Sequence, residues 1–175
     1  MRVFLALELN EEAKNELMRI ADLIKKEGLF EGNFVEKENL HLTLRFFGEK
    51  TDKEIEEIKE KLNLLKFDKF EVNLGEVGYF SPKFIRVLWV SLVSEKLNDL
   101  AREIEGLFGK ERFSSHVTIA RIKLVKDKKK FIDMLKSIDV KQRRFTVDKI
   151  VLKKSILTRQ GPVYEDIINI PLQKA

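Results

Sequence analysis

The sequence predicts an α+β fold of two pseudo-symmetric lobes, each an antiparallel-rich sheet with two helices, that face each other across a central cleft. Three observations support it. The order strand–helix–strand–helix–strand occurs twice, in duplicated halves of approximately residues 1–84 and 85–175. The only two histidines of the chain lie in matching segments, HLTL at 41–44 and HVTI at 116–119. Because no low-complexity linker separates the halves, the 175 residues are expected to form a single bilobal domain.

The first half begins with a predicted buried strand over residues 2–9 and a helix. Asn10 is suited to cap this helix, whose apolar residues recur at helical spacing, and Gly28 is suited to end it. Residues 30–39 are predicted to be a loop that contains at most a short strand. The chain then enters the first of the two histidine segments.

A strand is expected over residues 41–47, and a capping-box pattern at 51–54 predicts the start of a second helix. Polar and apolar residues alternate over 70–74, which indicates another strand. Gly75 and Gly78 predict a bulge or bend within it.

The second half repeats this order. Its strands are predicted over 86–90, 116–123, 145–157 (broken near Asp148) and 163–170, and its helices begin after Ser94 and Asp127, the first ending at Gly109.

The two histidine segments each combine an imidazole with a hydroxyl group. Residues i and i+2 of a strand lie on the same side, so His41 lies beside Thr43 and His116 beside Thr118. The alternating apolar residues then face the core. Threonine occurs only five times in the chain, so its presence at both positions favours a repeated functional pattern over coincidence.

Two imidazoles across a cleft suit general acid–base catalysis. The ordinary pKa of histidine, about 6.5, makes both protonation states available, so one ring can accept a proton while the other donates one. Displacement at phosphorus needs this pair, because the attacking and leaving oxygens lie on opposite sides of the phosphorus atom. Thr43 and Thr118 are then predicted to bind the non-bridging phosphate oxygens. A strained cyclic phosphodiester suits such a site, since its leaving oxygen needs only a proton.

Other interpretations of these residues are less favoured. Two imidazoles are too few for a usual zinc site, and neither segment has an acidic residue at i+2, so the sequence predicts no metal and no cofactor. A single histidine on a strand is more often structural, and threonine is a good strand former. The repetition of the pattern shifts the balance toward catalysis and phosphate contact.

Further candidates flank the two segments. Strand alternation puts Arg45 on the face of His41, where it would bind phosphate or the next nucleotide. Arg121 has the opposite parity from His116 and, unless a bulge intervenes, is expected to point out of the cleft and to be structural. Four aromatic residues are candidates for stacking on a base: Phe46, Phe80, Trp89 and Tyr164.

Composition limits the possible classes of protein. The absence of cysteine excludes disulfides, thiolate nucleophiles and cysteine-rich zinc sites. Charged residues make up 36%, a content typical of proteins from hot environments. The net charge is −4 over residues 1–84 and +9 over 85–175, which is a weak indication of an anionic partner. The sequence has no signal-peptide or membrane-spanning pattern, so we expect a cytoplasmic protein, most simply a monomer, with no membrane partner.

The chain resembles the 2H phosphoesterases, specifically the LigT-like RNA 2′,3′-cyclic phosphodiesterase branch once named 2′-5′ RNA ligases. The resemblance extends over nearly the whole chain and rests on the segments RVFLAL at 2–7, ENLHLTLRFFG at 38–48, RVLW at 86–89, HVTIAR at 116–121, and KSIL at 154–157 with GPVY at 161–164. The family often has proline before the second histidine, where this chain has Ser115.

The resemblance implies a bilobal fold and metal-independent hydrolysis of a 2′,3′-cyclic phosphate, on an RNA end or a cyclic nucleotide, to a 2′-phosphate. It implies that His41 donates a proton to the departing 3′ oxygen and that His116 accepts one from water; the residues alone do not assign these roles. The same pair would also serve the reverse 2′-5′ ligation. The alternative is a non-catalytic protein that binds RNA ends or nucleotides in the same cleft.

Overall fold

The computed structural model describes residues 1–174, which form nine β-strands, four α-helices and one 3₁₀ turn. The strands are β1 Arg2–Glu8, β2 Phe30–Phe34, β3 His41–Glu49, β4 Phe70–Gly78, β5 Val87–Val93, β6 His116–Val125, β7 Arg144–Val147, β8 Lys149–Thr158 and β9 Gly161–Pro171. The helices are α1 Glu11–Glu27, α2 Asp52–Leu62, α3 Glu95–Phe108 and α4 Lys128–Lys136, and the 3₁₀ turn is Lys37–Asn39.

The nine strands form one antiparallel sheet, and the strand pair at its centre is the one joined over the shortest length. Its order is β7-β4-β5-β6-β3-β1-β8-β9, and β2 pairs with the far end of β6. The two histidine strands, β3 and β6, are joined by the single residue pair Leu42 and Val117. They divide the sheet into one lobe of β3, β1, β8 and β9 and another of β6, β5, β4, β7 and β2. The predicted two-lobed α+β fold is therefore confirmed.

The lobes do not coincide with the two sequence halves. Strand β4 belongs to the first half of the chain but pairs with β5 and β7 of the second. Conversely, β8 and β9 extend the sheet next to β1. Each half therefore contributes strands to both lobes, so the two sequence halves cannot separate without breaking strand pairs within each lobe.

Local sequence signals fix most helix ends. Asn10 accepts a hydrogen bond from the Ala13 N–H, and Gly28 ends α1 in the left-handed conformation at φ 61°. The capping box of Thr51 and Glu54 opens α2, as predicted. The side chain of Asp127 caps α4 by accepting a hydrogen bond from the Lys130 N–H.

Ser94 departs from its prediction. Helix α3 follows it directly, but its hydroxyl makes no capping hydrogen bond. Glu95 in the first turn supplies the negative charge that favours this end of the helix dipole.

The strand predictions hold with differences in length. The strand break near Asp148 is confirmed, since β7 ends at Val147 and β8 begins at Lys149. The predicted bulge in β4 is also confirmed, because three steps from Leu74 to Val77 oppose two steps on β5. The loop after α1 contains a real strand, β2, and the histidine strands extend beyond the predicted ends.

The core lies against the sheet. The apolar residues of both histidine strands are buried as predicted: Leu42, Leu44, Val117 and Ile119 are each at most 5% exposed. Burial of such side chains contributes about 1.5–3 kcal/mol each, so the register of both strands is strongly specified. No helix in the described range is both long enough and apolar enough to cross a bilayer.

Candidate active site

Both histidines and both threonines of the repeated segments line one cleft of about 1630 Å³. The Leu42–Val117 pair lies below it. Because the strands are antiparallel, this register directs His41 toward Thr118 and Thr43 toward His116. The two histidines are then diagonal neighbours, for which a backbone separation of about 7–8 Å is usual.

The two imidazoles are held by the backbone in the same way. Nδ1 of His41 lies 2.7 Å from the carbonyl oxygen of Asn39, and Nδ1 of His116 lies 3.0 Å from that of Ser114. A carbonyl only accepts, so each Nδ1 carries the hydrogen and each Nε2 is left for chemistry. Nε2 of His41 lies 3.1 Å from Oγ1 of Thr43.

His41 is the more enclosed of the two. The Phe4 ring lies at 5.0 Å from its ring centroid, and Tyr164 meets it edge-on at 5.2 Å. Burial lowers the pKa of His41, although the hydrogen bond to Asn39 opposes the shift. The neutral imidazole is therefore favoured before an anion binds.

A charged cluster adjoins His41. Nζ of Lys153 lies 2.7 Å from a carboxylate oxygen of Glu8 and 2.7 Å from one of Asp166. Burial alone would lower the pKa of Lys153, but its hydrogen bonds to both carboxylates hold it above its ordinary value. This ammonium group also lowers the pKa of His41.

His116 is more open to solvent. Phe80 meets its ring edge-on at 5.0 Å, and Trp89 lies at 6.4 Å. Burial lowers the pKa of His116, the Ser114 carbonyl opposes this, and Arg121 adds a further lowering. The two rings thus have matching aromatic neighbours but different access to water.

Both histidine strands contain a bulge at the same distance from the histidine. On β3, Arg45 and Thr43 face the adjacent residues Leu5 and Ala6 of β1, so Leu44 is the additional residue. On β6, Ala120 and Thr118 face the adjacent Leu88 and Trp89, so Ile119 is additional. A bulge reverses the alternation of side chains beyond it.

This reversal makes the expected position of Arg45 wrong. Its guanidinium donates to the carbonyl oxygens of Phe108 at 3.0 Å and Gly109 at 2.7 Å, at the C-terminal end of α3, and it is not among the residues that line the cleft. It packs against the rings of Phe47 and Phe108, which contact each other edge-on. Arg45 therefore connects the first histidine strand to α3.

The same reversal brings Arg121 into the cleft, against the parity argument. Among residues 1–174 its guanidinium has no hydrogen-bond or ion-pair partner. Phe46 occupies the equivalent position in the first half, five residues after its histidine, and also lines the cleft. Sequence reasoning missed Arg121 because nothing in the alternation of β6 reveals the bulge.

The model of one protein family, described as LigT like phosphoesterase, matches the chain twice, over residues 7–89 and 90–164. The chain belongs to the LigT-like phosphoesterase family. Its two matched segments each contain one of the histidines.

Individual relatives of the family cover almost the full length. The chain is 37% identical to the RNA 2′,3′-cyclic phosphodiesterase of Methanocaldococcus jannaschii, over 95% of this chain and 98% of that protein. It is 32% identical to the protein of the same name from Methanothermobacter thermautotrophicus, over 95% and 96%. The crystal structure of a Thermus thermophilus protein has the same fold, with a TM-score of 0.79 at 24% identity and 99% of each chain covered.

Ser115 stands where the LigT-like pattern often has proline. Its hydroxyl donates to the carbonyl oxygen of Leu92 at 2.5 Å, which ties the start of β6 to the end of β5. A hydrogen bond thus restrains the backbone next to His116, as a proline ring would restrain it through φ.

The four aromatic candidates divide into two pairs. Phe46 and Tyr164 line the cleft of this LigT-like chain, whereas Phe80 and Trp89 flank His116 and are not among the lining residues. Within residues 1–174, no group of three or more histidine, cysteine, aspartate or glutamate side chains is arranged to hold a metal ion.

Proposed function

We propose that this protein hydrolyses the 2′,3′-cyclic phosphate of an RNA end or nucleotide to a 2′-phosphate by acid–base catalysis between His41 and His116, without a metal ion. The observation that carries the proposal is the matching orientation of the two rings. Each Nδ1–H is held by the carbonyl two residues earlier, which leaves both Nε2 atoms for one cleft. The names of the relatives, at 30–37% identity, support the substrate class.

In the proposed step, Nε2 of His116 accepts a proton from a water molecule as its oxygen attacks phosphorus. The bond between phosphorus and the 3′ oxygen breaks, and His41, which takes up a proton on Nε2 when the anionic phosphate binds, donates that proton to the departing oxygen. The product has a 2′-phosphate and a free 3′ hydroxyl, and exchange of one proton with solvent restores both rings. Each role typically contributes about 10²–10⁴ in rate.

The surroundings of the rings support this division of roles. Water must reach the base, and His116 is the ring with the freer access to solvent. The acid gains from an enclosed position, because a bound anionic phosphate raises the pKa of a neighbouring imidazole most strongly where water is excluded. His41, which contacts both Phe4 and Tyr164, meets that condition.

Three further side chains are proposed to bind the phosphate. Thr43 and Thr118 line the cleft beside the two rings, where the non-bridging oxygens would lie, and Oγ1 of Thr43 lies 3.1 Å from Nε2 of His41. Arg121 adds a guanidinium without a carboxylate partner in the described chain. Donors that are fixed before the substrate binds stabilise the charge that develops in the transition state.

All proposed catalytic groups come from one chain, so a monomer suffices. We propose that the protein works as a monomer on RNA in the cytoplasm; size-exclusion chromatography at working concentration tests the first statement and cell fractionation the second.

The decisive assay is turnover of a nucleoside 2′,3′-cyclic phosphate with and without a metal chelator. We expect equal rates and a 2′-phosphate product, identified by chromatography against 2′- and 3′-nucleotide standards. Loss of turnover in chelator, or a 3′-phosphate product, would contradict the proposal. Tight RNA-end binding without any turnover would favour the non-catalytic alternative.

A further inference from the structure

The cleft continues well beyond the two histidines. Sites for one small molecule usually measure about 300–1,000 Å³, whereas this cleft measures about 1630 Å³. A 2′,3′-cyclic phosphate occupies both oxygens at the 3′ end of an RNA, so the strand can continue only through the 5′ oxygen of the terminal nucleoside. The phosphodiester backbone on the 5′ side is therefore the part of an RNA substrate that would occupy the extra volume.

The two ends of the cleft differ in charge. At the end lined by β2 and the 3₁₀ turn, Lys25 is opposed by the exposed carboxylates of Glu31, Glu36 and Glu38. At the end lined by β1 and the β8–β9 turn, the charged lining residues are arginines, and no carboxylate is among them. A polyanionic strand is repelled by the first end and attracted by the second.

We propose that Arg2, stacked on Phe46, and Arg159 form a subsite for the backbone phosphates of single-stranded RNA on the 5′ side of the cyclic end. This inference rests on the proposed function, because it assumes that the cyclic phosphate lies between the histidines. It assigns an RNA strand, rather than a free nucleotide, as the ligand that fills the cleft.

Arg2 has the position that this subsite needs. It lies two residues from Phe4 on β1, on the same face, and Phe4 contacts the His41 ring. Two strand residues advance about 7 Å, so the backbone of Arg2 lies about that far beyond Phe4 along this wall of the cleft. Its guanidinium lies 5.2 Å from the Phe46 ring centroid, and no carboxylate within residues 1–174 pairs with it.

Arg159 lies farther along the same wall, in the turn between β8 and β9. It is exposed and, in the described part of the chain, makes no ion pair. Apolar surface lies beside both arginines, since Phe46 is 46% exposed and Leu157 is 75% exposed. Cationic groups alternating with apolar faces are typical of surfaces that hold single-stranded nucleic acid.

The test compares substrates that differ only in the 5′ strand. Values of kcat/KM are measured for adenosine 2′,3′-cyclic phosphate and for a trinucleotide ending in the same cyclic phosphate. The variants are Arg2→Gln, Arg159→Gln and, for the opposite end of the cleft, Lys25→Gln. Arg102→Gln is the matched control, because this exposed arginine pairs with Asp99 on α3, outside the cleft.

We expect the wild type to prefer the trinucleotide. Arg2→Gln and Arg159→Gln should each lower kcat/KM about 3–10-fold on the trinucleotide, change it less than about twofold on the mononucleotide, and reduce the salt dependence of binding by about one phosphate contact. Arg102→Gln should leave both substrates unchanged. Equal losses on both substrates, no loss on the trinucleotide, or a selective loss in Lys25→Gln instead would overturn the subsite.

A binding measurement separates failure of the subsite from failure of the proposed function. Fluorescence anisotropy follows a labelled trinucleotide that ends in a 2′-phosphate, so it needs no turnover. If the wild type hydrolyses no cyclic phosphate, the proposed function fails, and weaker binding by Arg2→Gln and Arg159→Gln still supports the subsite. Unchanged binding in both variants overturns it.

Discussion

The two histidine strands share a backbone design but differ in what surrounds it. In both, a carbonyl holds Nδ1 of the ring, a threonine follows at i+2, and a bulge follows the threonine. Beyond the bulge they diverge: the position five residues after the histidine is Phe46 on β3 and Arg121 on β6. The two repeated segments thus have the same reactive groups with different neighbours, and under the proposed function this difference lets one ring serve as the acid and the other as the base.

The comparison is tested most strongly by removing each ring. His41→Ala and His116→Ala should each lower kcat by about 10²–10⁴, because each removes one proton transfer. The rates are measured on a nucleoside 2′,3′-cyclic phosphate, with circular dichroism to confirm folding.

A phosphodiester with a nitrophenolate leaving group then distinguishes the two roles. Such a group departs without a proton, so His41→Ala should lose much less on this substrate than on the cyclic phosphate, while His116→Ala should lose about as much on both. The opposite pattern would reverse the assignment of acid and base.

Arg121 is the group that only the second strand provides. Arg121→Gln should lower kcat/KM by about 10- to 100-fold, because a charge-assisted contact to the phosphate is lost. Steady-state kinetics measure the effect, and Arg102→Gln is the charge-matched control. A loss no larger than that of the control would remove Arg121 from the site.

The threonines should behave alike if the pseudo-symmetry extends to the phosphate. Thr43→Val and Thr118→Val keep the shape and remove one hydroxyl, and each should lower kcat about tenfold. The double variant should lose about 100-fold. A tenfold loss from one threonine and none from the other would show that the two sides bind the phosphate unequally.

The pH dependence compares the two rings without mutation. Burial lowers the pKa of both His41 and His116 below the ordinary 6.5, so kcat/KM should form a bell whose maximum lies below pH 6.5. The unfolded chain binds these protons more readily than the folded protein, so the free energy of unfolding should decrease as the pH falls through 6.5. Above about pH 7.5 the rings are neutral in both states and do not affect it. Rate profiles and chemical denaturation measure the two effects; a maximum of kcat/KM above pH 7 would contradict the first.

The smallest effect on activity is expected at Arg45, which faces away from the cleft. Arg45→Gln removes two hydrogen bonds to the end of α3 and should cost about 1–3 kcal/mol of unfolding free energy, while kcat/KM changes less than about threefold. Urea denaturation and steady-state kinetics check both. A large loss of activity at unchanged stability would return Arg45 to the site.

Local sequence patterns were sufficient for most helix caps, most strands and the two histidine–threonine pairs. Each depends on residues within four positions, such as Asn10 with Ala13 or His41 with Thr43. The sequence could not predict that Arg121, and not Arg45, lines the cleft. The two bulges depend on pairing with β1 and β5, and the alternation of residues within β3 and β6 does not reveal that pairing. The lobes to which β4 and β8 belong could not be predicted either, because they depend on pairing between strands that lie far apart in the sequence.

The pairing of β8 beside β1 also has a consequence for synthesis. Strand β1 is translated long before its second neighbour, Lys149–Thr158. The wall of the cleft that holds Tyr164 therefore cannot assemble until β8 and β9 have been translated. Contacts this distant along a chain slow folding, so a nascent molecule that already contains both histidines can enclose a substrate only after β8 and β9 have been added.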